Sequence, residues 1–245
     1  MNWRDRFTSS DWALIASAGI LAVGLAVTGA IGGDAFYRVR ALSNTLSVTG
    51  SATATSTADV AKWRVTVNRL TTEESLAPTQ SKVSADSQSV VDFFSRAGIP
   101  QEKISVSPVY VDREYSNDNV RRYNVRQEVS IESGDVRLVE KLSRDITSLI
   151  SRGILISVQS PEYFISNLPA IRVSLIGKAV SDAKARAVEI AKSTGQNVGP
   201  LQSASGGVVQ VMAPNSVEVS DYGSYDTSTI DKQVMVTARA TFLVQ

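Results

Sequence analysis

Twenty consecutive residues without a charge, Trp12 to Ile31 (WALIASAGILAVGLAVTGAI), limit what this chain can fold into more than any other feature. A helix over them, at about 1.5 Å per residue, is about 30 Å long, the thickness of a bilayer's hydrocarbon core. In lipid, only a helix satisfies the backbone of such a segment from within. The expected organisation is a short tail over 1–11, a transmembrane helix over 12–33, a polar link over 34–43 and a folded body over 44–245. A cleaved signal peptide is the competing reading: Arg4 and Arg6 lie in front and Thr28-Gly29-Ala30 supplies small residues, but such apolar regions usually run about 7–15 residues. Arg4 and Arg6 nearly balance Arg38 and Arg40, so the positive-inside rule tips only slightly towards an internal amino terminus.

Within the span Ala18, Ala22, Ala26 and Ala30 recur at every fourth position, and Gly29 and Gly33 repeat the spacing at its end. Such a stripe lets helices approach closely, and it also arises because Ala and Gly are common in membrane helices. Both readings stand at this point.

Charge and composition remove several functions. The chain has 25 Lys plus Arg against 24 Asp plus Glu, and setting aside Arg4, Arg6, Asp5 and Asp11 leaves the body balanced. That is no field for a polyanion, so nucleic acid is not an expected partner. There is no Cys and no His, which excludes disulfides, thiol nucleophiles, Ser-His pairs and the usual Zn ligands.

The body reads as α+β, an antiparallel sheet with about three helices. Leu46 to Thr57 alternates Leu46, Val48, Ala52 and Ala54 with Ser and Thr, and Ala61, Trp63, Val65 and Val67 continue the period, predicting two strands joined as a hairpin. Ser75 is placed to cap a helix from Leu76 to Gly98. Ile104 to Tyr115 and Val120 to Ile131 form the next strand pair. A three-residue loop over 117–119, with Asn119 left-handed, opposes Glu114 to Arg122 and Arg113 to Tyr123 and avoids facing two arginines. A second helix runs from Asp135 to Arg152, a strand from Ile154 to Val158, and a third helix from Asn167 to Gly195 with Ala179, Ala183, Ala187 and Ala191 on one face; Ile171 to Ile176 also fits a short strand. Leu201 to Met212 and a final strand from Val234 to Val244 flank a polar loop over 213–232. The parallel between Ile104-Ser-Val-Ser-Pro and Ile156-Ser-Val-Gln-Ser-Pro suggests a duplicated strand-helix-strand unit.

No motif signals catalysis, a metal or a cofactor. Glu73-Glu74 suits a helix start. Asp112 and Glu114 lie among Arg113, Arg121 and Arg122 and read as an ion network; Trp63 reads as core. Gly206-Gly207 lacks the strand-to-helix setting of a phosphate cradle. Asp221, Asp226 and Asp231 match no calcium loop and read as solvated charge. With Tyr222 and Tyr225, Asp221 and Asp226 make the long loop a candidate contact surface between copies.

LSVTGSATATSTADVAKWRVTV, with Val48, Gly50, Ala52 and Asp59, resembles the opening of the SIMPL domain family. Ala97-Gly98-Ile99 before Ile104, Tyr123 after the hairpin, the helix AVSDAKARAVEIAKSTG and the closing VTARATFLV extend the resemblance over residues 44–245. It implies an α+β domain of the bacterial envelope, here single-pass in the inner membrane with the body in the periplasm or extracytoplasmic space. It further implies self-assembly into a large ring- or channel-like homo-oligomer, no enzymatic activity, and an association with envelope or oxidative stress. The alternative is an extracytoplasmic binding module for a peptide, lipid or envelope protein. The apolar segment and the acidic Ser/Asp/Tyr loop depart from the family's usual pattern.

Overall fold

A computed structural model describes residues 9–41, 44–115, 120–216 and 220–245. Helix α1 spans Ser9–Ala41, so it continues through residues read as a polar link. Its Ala16–Asp34 segment is, among the described residues, the one helical stretch long and apolar enough to cross a membrane, and all of that stretch's described side chains are exposed. Its hydroxyls need no outside partner: Ser17 donates to the Leu14 carbonyl at 2.9 Å and Thr28 to the Gly24 carbonyl at 2.8 Å.

The rest is α+β, as expected, and the chain divides into two compact units. The first takes the chain up to Gly50, Val180–Ser205 and Ala238–Gln245; the second takes Ser51–Ala179 and Gly206–Thr237. Strands β1 (Thr45–Thr57), β8 (Val198–Met212) and β10 (Asp231–Val244), and helix α5 (Leu168–Ser193), give residues to both. The stretch Ile171 to Ile176 is therefore helical, its residues continuous with the alanine face that follows. The first unit's core joins Val48, Ala183, Ala187, Ala240 and Phe242, with small alanines letting α5 lie close to the strands.

The second unit holds a sheet of β2 (Val60–Thr72), β3 (Ile104–Val106), β4 (Tyr110–Glu114), β5 (Arg122–Ser133), β6 (Ile156–Val158) and β7 (Glu162–Phe164). Its order is β3-β5-β2-β6, with β4 also on β5 and β7 also on β2. Helix α2 (Leu76–Arg96) links β2 to β3, and α3 (Val136–Asp145) with α4 (Thr147–Ile150) links β5 to β6. Each strand-helix-strand unit thus returns its last strand to the first strand of the other, a split βαβ pattern that gives the sequence repeat a structural meaning. Trp63, Val65, Val67, Val125, Val129 and Ile131 face the helices and are nearly inaccessible, with Trp63 edge-on to Phe94 at 5.4 Å between ring centroids. A further cluster gathers Ile165, Leu175, Val211, Val234 and Val236.

The hairpin register is the one charge predicts: Arg113 opposes Tyr123 and Glu114 opposes Arg122. Loop residues 116–119, including Asn119, lie outside the described residues. Gly98, Gly153 and Gly195 all take positive φ, the left-handed conformation that suits a helix end. Ser75 precedes α2 without a side-chain cap, because a 3-10 turn over Glu73–Ser75 leads into the helix instead. Asp135 does cap α3, accepting from the Leu138 amide at 2.9 Å.

The expected hairpin is corrected. β1 and β2 are not a hairpin: β1 pairs with β10 in a sheet ordered β1-β10-β8-β9, and β2 pairs with β5. A two-residue hairpin turn needs positive φ at its first or both central residues, and neither Ala58 nor Asp59 has it. Their amides instead donate to the Ile230 and Phe164 carbonyls, at 2.8 and 3.0 Å. β10 lies inside that sheet, between β1 and β8.

Candidate assembly surface

The described part of the loop over 213–232, residues 213–216 and 220–232, is built rather than loose. Its β9 (Ser224–Tyr225) pairs in parallel with β8 at Gln210 and Val211. Gly223, at φ 85°, crosses so close to β8 that a Cβ would stand 2.8 Å from the Val209 carbonyl oxygen. The Asp226 carboxylate accepts from the amide and hydroxyl of both Ser228 and Thr229, and the fully buried Lys232 ammonium lies 3.5 Å away while also donating to the Asp226 carbonyl. Burial pushes the Asp226 carboxyl up, but the Ser228 and Thr229 hydrogen bonds and the Lys232 charge outweigh it and hold the group well below its ordinary value. Burial pushes Lys232 down, against the opposing pull of Asp226. The Tyr225 hydroxyl accepts from the Ile165 amide at 2.8 Å, and its ring meets Phe164 at 5.8 Å.

The four loop residues singled out for contact between copies therefore separate. Asp226 and Tyr225 hold the loop together, so Asp226 is a bonded carboxylate and not a solvated one. Tyr222, 97% exposed, and Asp221 lie at the surface. Nearby Glu218 is outside the described residues. On α1, a Cβ placed on Gly29 or Gly33 would meet nothing within 4 Å, and Ala18, Ala22, Ala26 and Ala30 are exposed.

The sheet edges differ in how they are guarded. Exposed edges invite pairing with other chains, and proteins blunt them with short strands, Pro, charges or bulges. β3 and β4 are broken by Ser107-Pro108, where their register on β5 shifts by one residue, and β4 carries Asp112, Arg113 and Glu114. β6 and β7 have three residues each and are separated by Pro161. β8 is covered by β9 at one end. At the other, the Asn197 amide and carbonyl both bond Gln245, so alternation turns the backbone of Pro200 outward, where it has no N–H to offer. β1 has none of these devices: thirteen residues, TLSVTGSATATST, without a charge or a proline. Among the described residues no strand pairs with its outer side.

Chemistry elsewhere is self-contained. Arg126 pairs with Asp112 at 3.0 Å, Arg64 with Glu128 at 2.9 Å, Lys62 with Glu132 at 3.4 Å and Arg121 with Glu73 at 3.5 Å. Buried Asp86 is held by Arg69 at 2.6 Å and Lys82 at 3.2 Å. The backbone of Gly207 packs so tightly on Thr237 that a Cβ would stand 2.2 Å from its Oγ1, a packing role for that glycine. No three His, Cys, Asp or Glu among the described residues are grouped to hold a metal ion.

A family model described as SIMPL, protein of unknown function (DUF541), matches residues 46–242. No curated protein matches. A solved chain titled "De novo designed protein Foldit4" is 17% identical, covers 41% of this chain and 93% of its own length, and superposes with a TM-score of 0.19.

Proposed function

The chain belongs to the SIMPL family, and on that premise we propose that it is a non-enzymatic, single-pass envelope protein whose body assembles with copies of itself outside the cytoplasm. Helix α1 is the anchor in this reading. The observation that carries the proposal is β1, a long strand edge left bare while the other outer strands are guarded. Such an edge in a soluble monomer is an aggregation hazard, and a built interface removes the hazard. Anchoring adds to this by confining copies to one plane, which raises their effective concentration before any contact forms. A ring- or channel-like oligomer, as the resemblance implies, needs a second contact as well, for which exposed Asp221 and Tyr222 are available. The link to envelope or oxidative stress belongs to the same proposal. An extracytoplasmic binding module is the second reading, because a bare edge also accepts an extended peptide from another protein.

Light scattering after size-exclusion chromatography of the full chain in mild detergent tests the proposal. A protein mass of several subunits is expected. A strictly monomeric particle across the accessible concentrations refutes self-assembly and leaves the peptide-binding reading.

A further inference from the structure

We propose that β1 pairs antiparallel with β1 of a second copy of this chain, about a two-fold axis level with Ser51, so that Thr49 of each copy opposes Thr53 of the other. This deepens the self-assembly reading and rests on it. The choice of occupant follows from the edges. A second copy offers β8, whose Pro200 blocks an outward bond, the broken and charged outer strands of the other sheet, or its own β1. The last is the longest of these edges without a proline, a charge or a covering strand, and a surface that pairs with itself does so about a two-fold axis.

The register follows from the backbone. The Asn44 carbonyl accepts from the Val244 amide at 3.0 Å at one end of β1, and the Ala58 amide donates to Ile230 at 2.8 Å at the other. Even-numbered positions therefore point their amides and carbonyls at β10, and odd-numbered positions, Thr45 to Thr57, turn theirs outward. The faces alternate with the same period. Val48, Ala52 and Ala54 belong to the apolar clusters, while Thr45, Ser47, Thr49, Thr53, Thr55 and Thr57 carry hydroxyls. Full overlap of two β1 strands opposes Thr45 to Thr57, Ser47 to Thr55 and Thr49 to Thr53, a hydroxyl facing a hydroxyl each time. On the other face it sets Val48 against Ala54 and Gly50 against Ala52. A one-residue slip would put hydroxyls opposite apolar positions. One such hydroxyl pair already exists within the chain, where Thr241 donates to Ser47 at 3.3 Å. Beside the edge, in the first unit, Val48, Ala185 and Ile190 line a shallow, mainly apolar depression next to Arg186 and Glu189, a surface that also contains both signs of charge for a two-fold contact.

Charge reversal reads this register directly. In the full chain in mild detergent, T49K/T53K places lysine opposite lysine twice and is expected to weaken self-association about tenfold or more, as judged by sedimentation. T49K/T53E opposes lysine to glutamate twice and is expected to restore wild-type association at low salt. Both positions are exposed, and unchanged circular dichroism of both variants is expected. If both variants associate like wild type, β1 is not the interface and the proposal falls while self-assembly stands. If both weaken equally, a different register or partner strand is in use and the proposal again falls. A monomeric wild type overturns this proposal and the self-assembly reading together.

Discussion

Removing Asp226 tests how the long loop is held. The Lys232 side chain is fully buried, and Asp226 is its partner both through the carboxylate and through the backbone carbonyl. Asp226→Ala takes away the negative charge and leaves the ammonium sealed in the protein, which costs about 3–5 kcal/mol where a buried pair loses one member. That is a large share of a typical domain stability of about 5–15 kcal/mol. Lys232→Met is different, because Asp226 keeps its four donors from Ser228 and Thr229 and a flexible apolar chain fills the vacated space. Its cost is expected to stay under about 1 kcal/mol. The double variant should recover most of what Asp226→Ala loses. Urea titration of the full chain in mild detergent, followed by the fluorescence of buried Trp63, measures all three. Equal losses for the two single variants, or additive losses in the double, would refute the idea that an orphaned lysine is the cause.

Three further outcomes follow from the same structure. Because Asp226 is held well below its ordinary carboxyl value of 3.8, its contribution is complete above that value and is lost as pH falls below it; Asp226→Asn should flatten the fall of the urea midpoint from about pH 4 to about pH 2 and leave its course above about pH 5 unchanged. Gly207→Ala forces a Cβ onto the Thr237 hydroxyl, and thermal unfolding should show a loss of about 1–3 kcal/mol, reduced when Thr237→Ala accompanies it. Leu21→Arg puts a charge in the middle of the apolar run at a cost of about 2.5–3.5 kcal/mol, so membrane fractionation should find more of the variant released by alkaline washing than of wild type.

What could be read from the sequence was local. The hairpin register came from keeping Arg113 away from Arg122, an interaction contained within a few residues. The alanine face of α5 declared itself by spacing, and Ala179, Ala183, Ala187 and Ala191 are buried. The partner of β1 was hidden because alternation states which face is apolar and not which strand lies alongside. A signal was present all the same: Thr57-Ala58-Asp59-Val60 has none of the Gly or Asn that a tight hairpin turn needs. Asp226 reads as solvated from the sequence because its setting depends on Phe164 and strand β8 arriving from elsewhere in the chain. The bare edge of β1 was half visible, as an uncharged strand. Its meaning required knowing that Pro200, Pro108 and Pro161 sit in or between the other outer strands.

The proposed assembly holds several copies of this chain together in one membrane. Stepwise photobleaching of full-length, singly labelled protein in native membranes counts those copies. Spots that bleach in two or more steps, and fall towards one step in T49K/T53K, are the result expected. Single-step bleaching throughout, at densities where the label is fully functional, would contradict it.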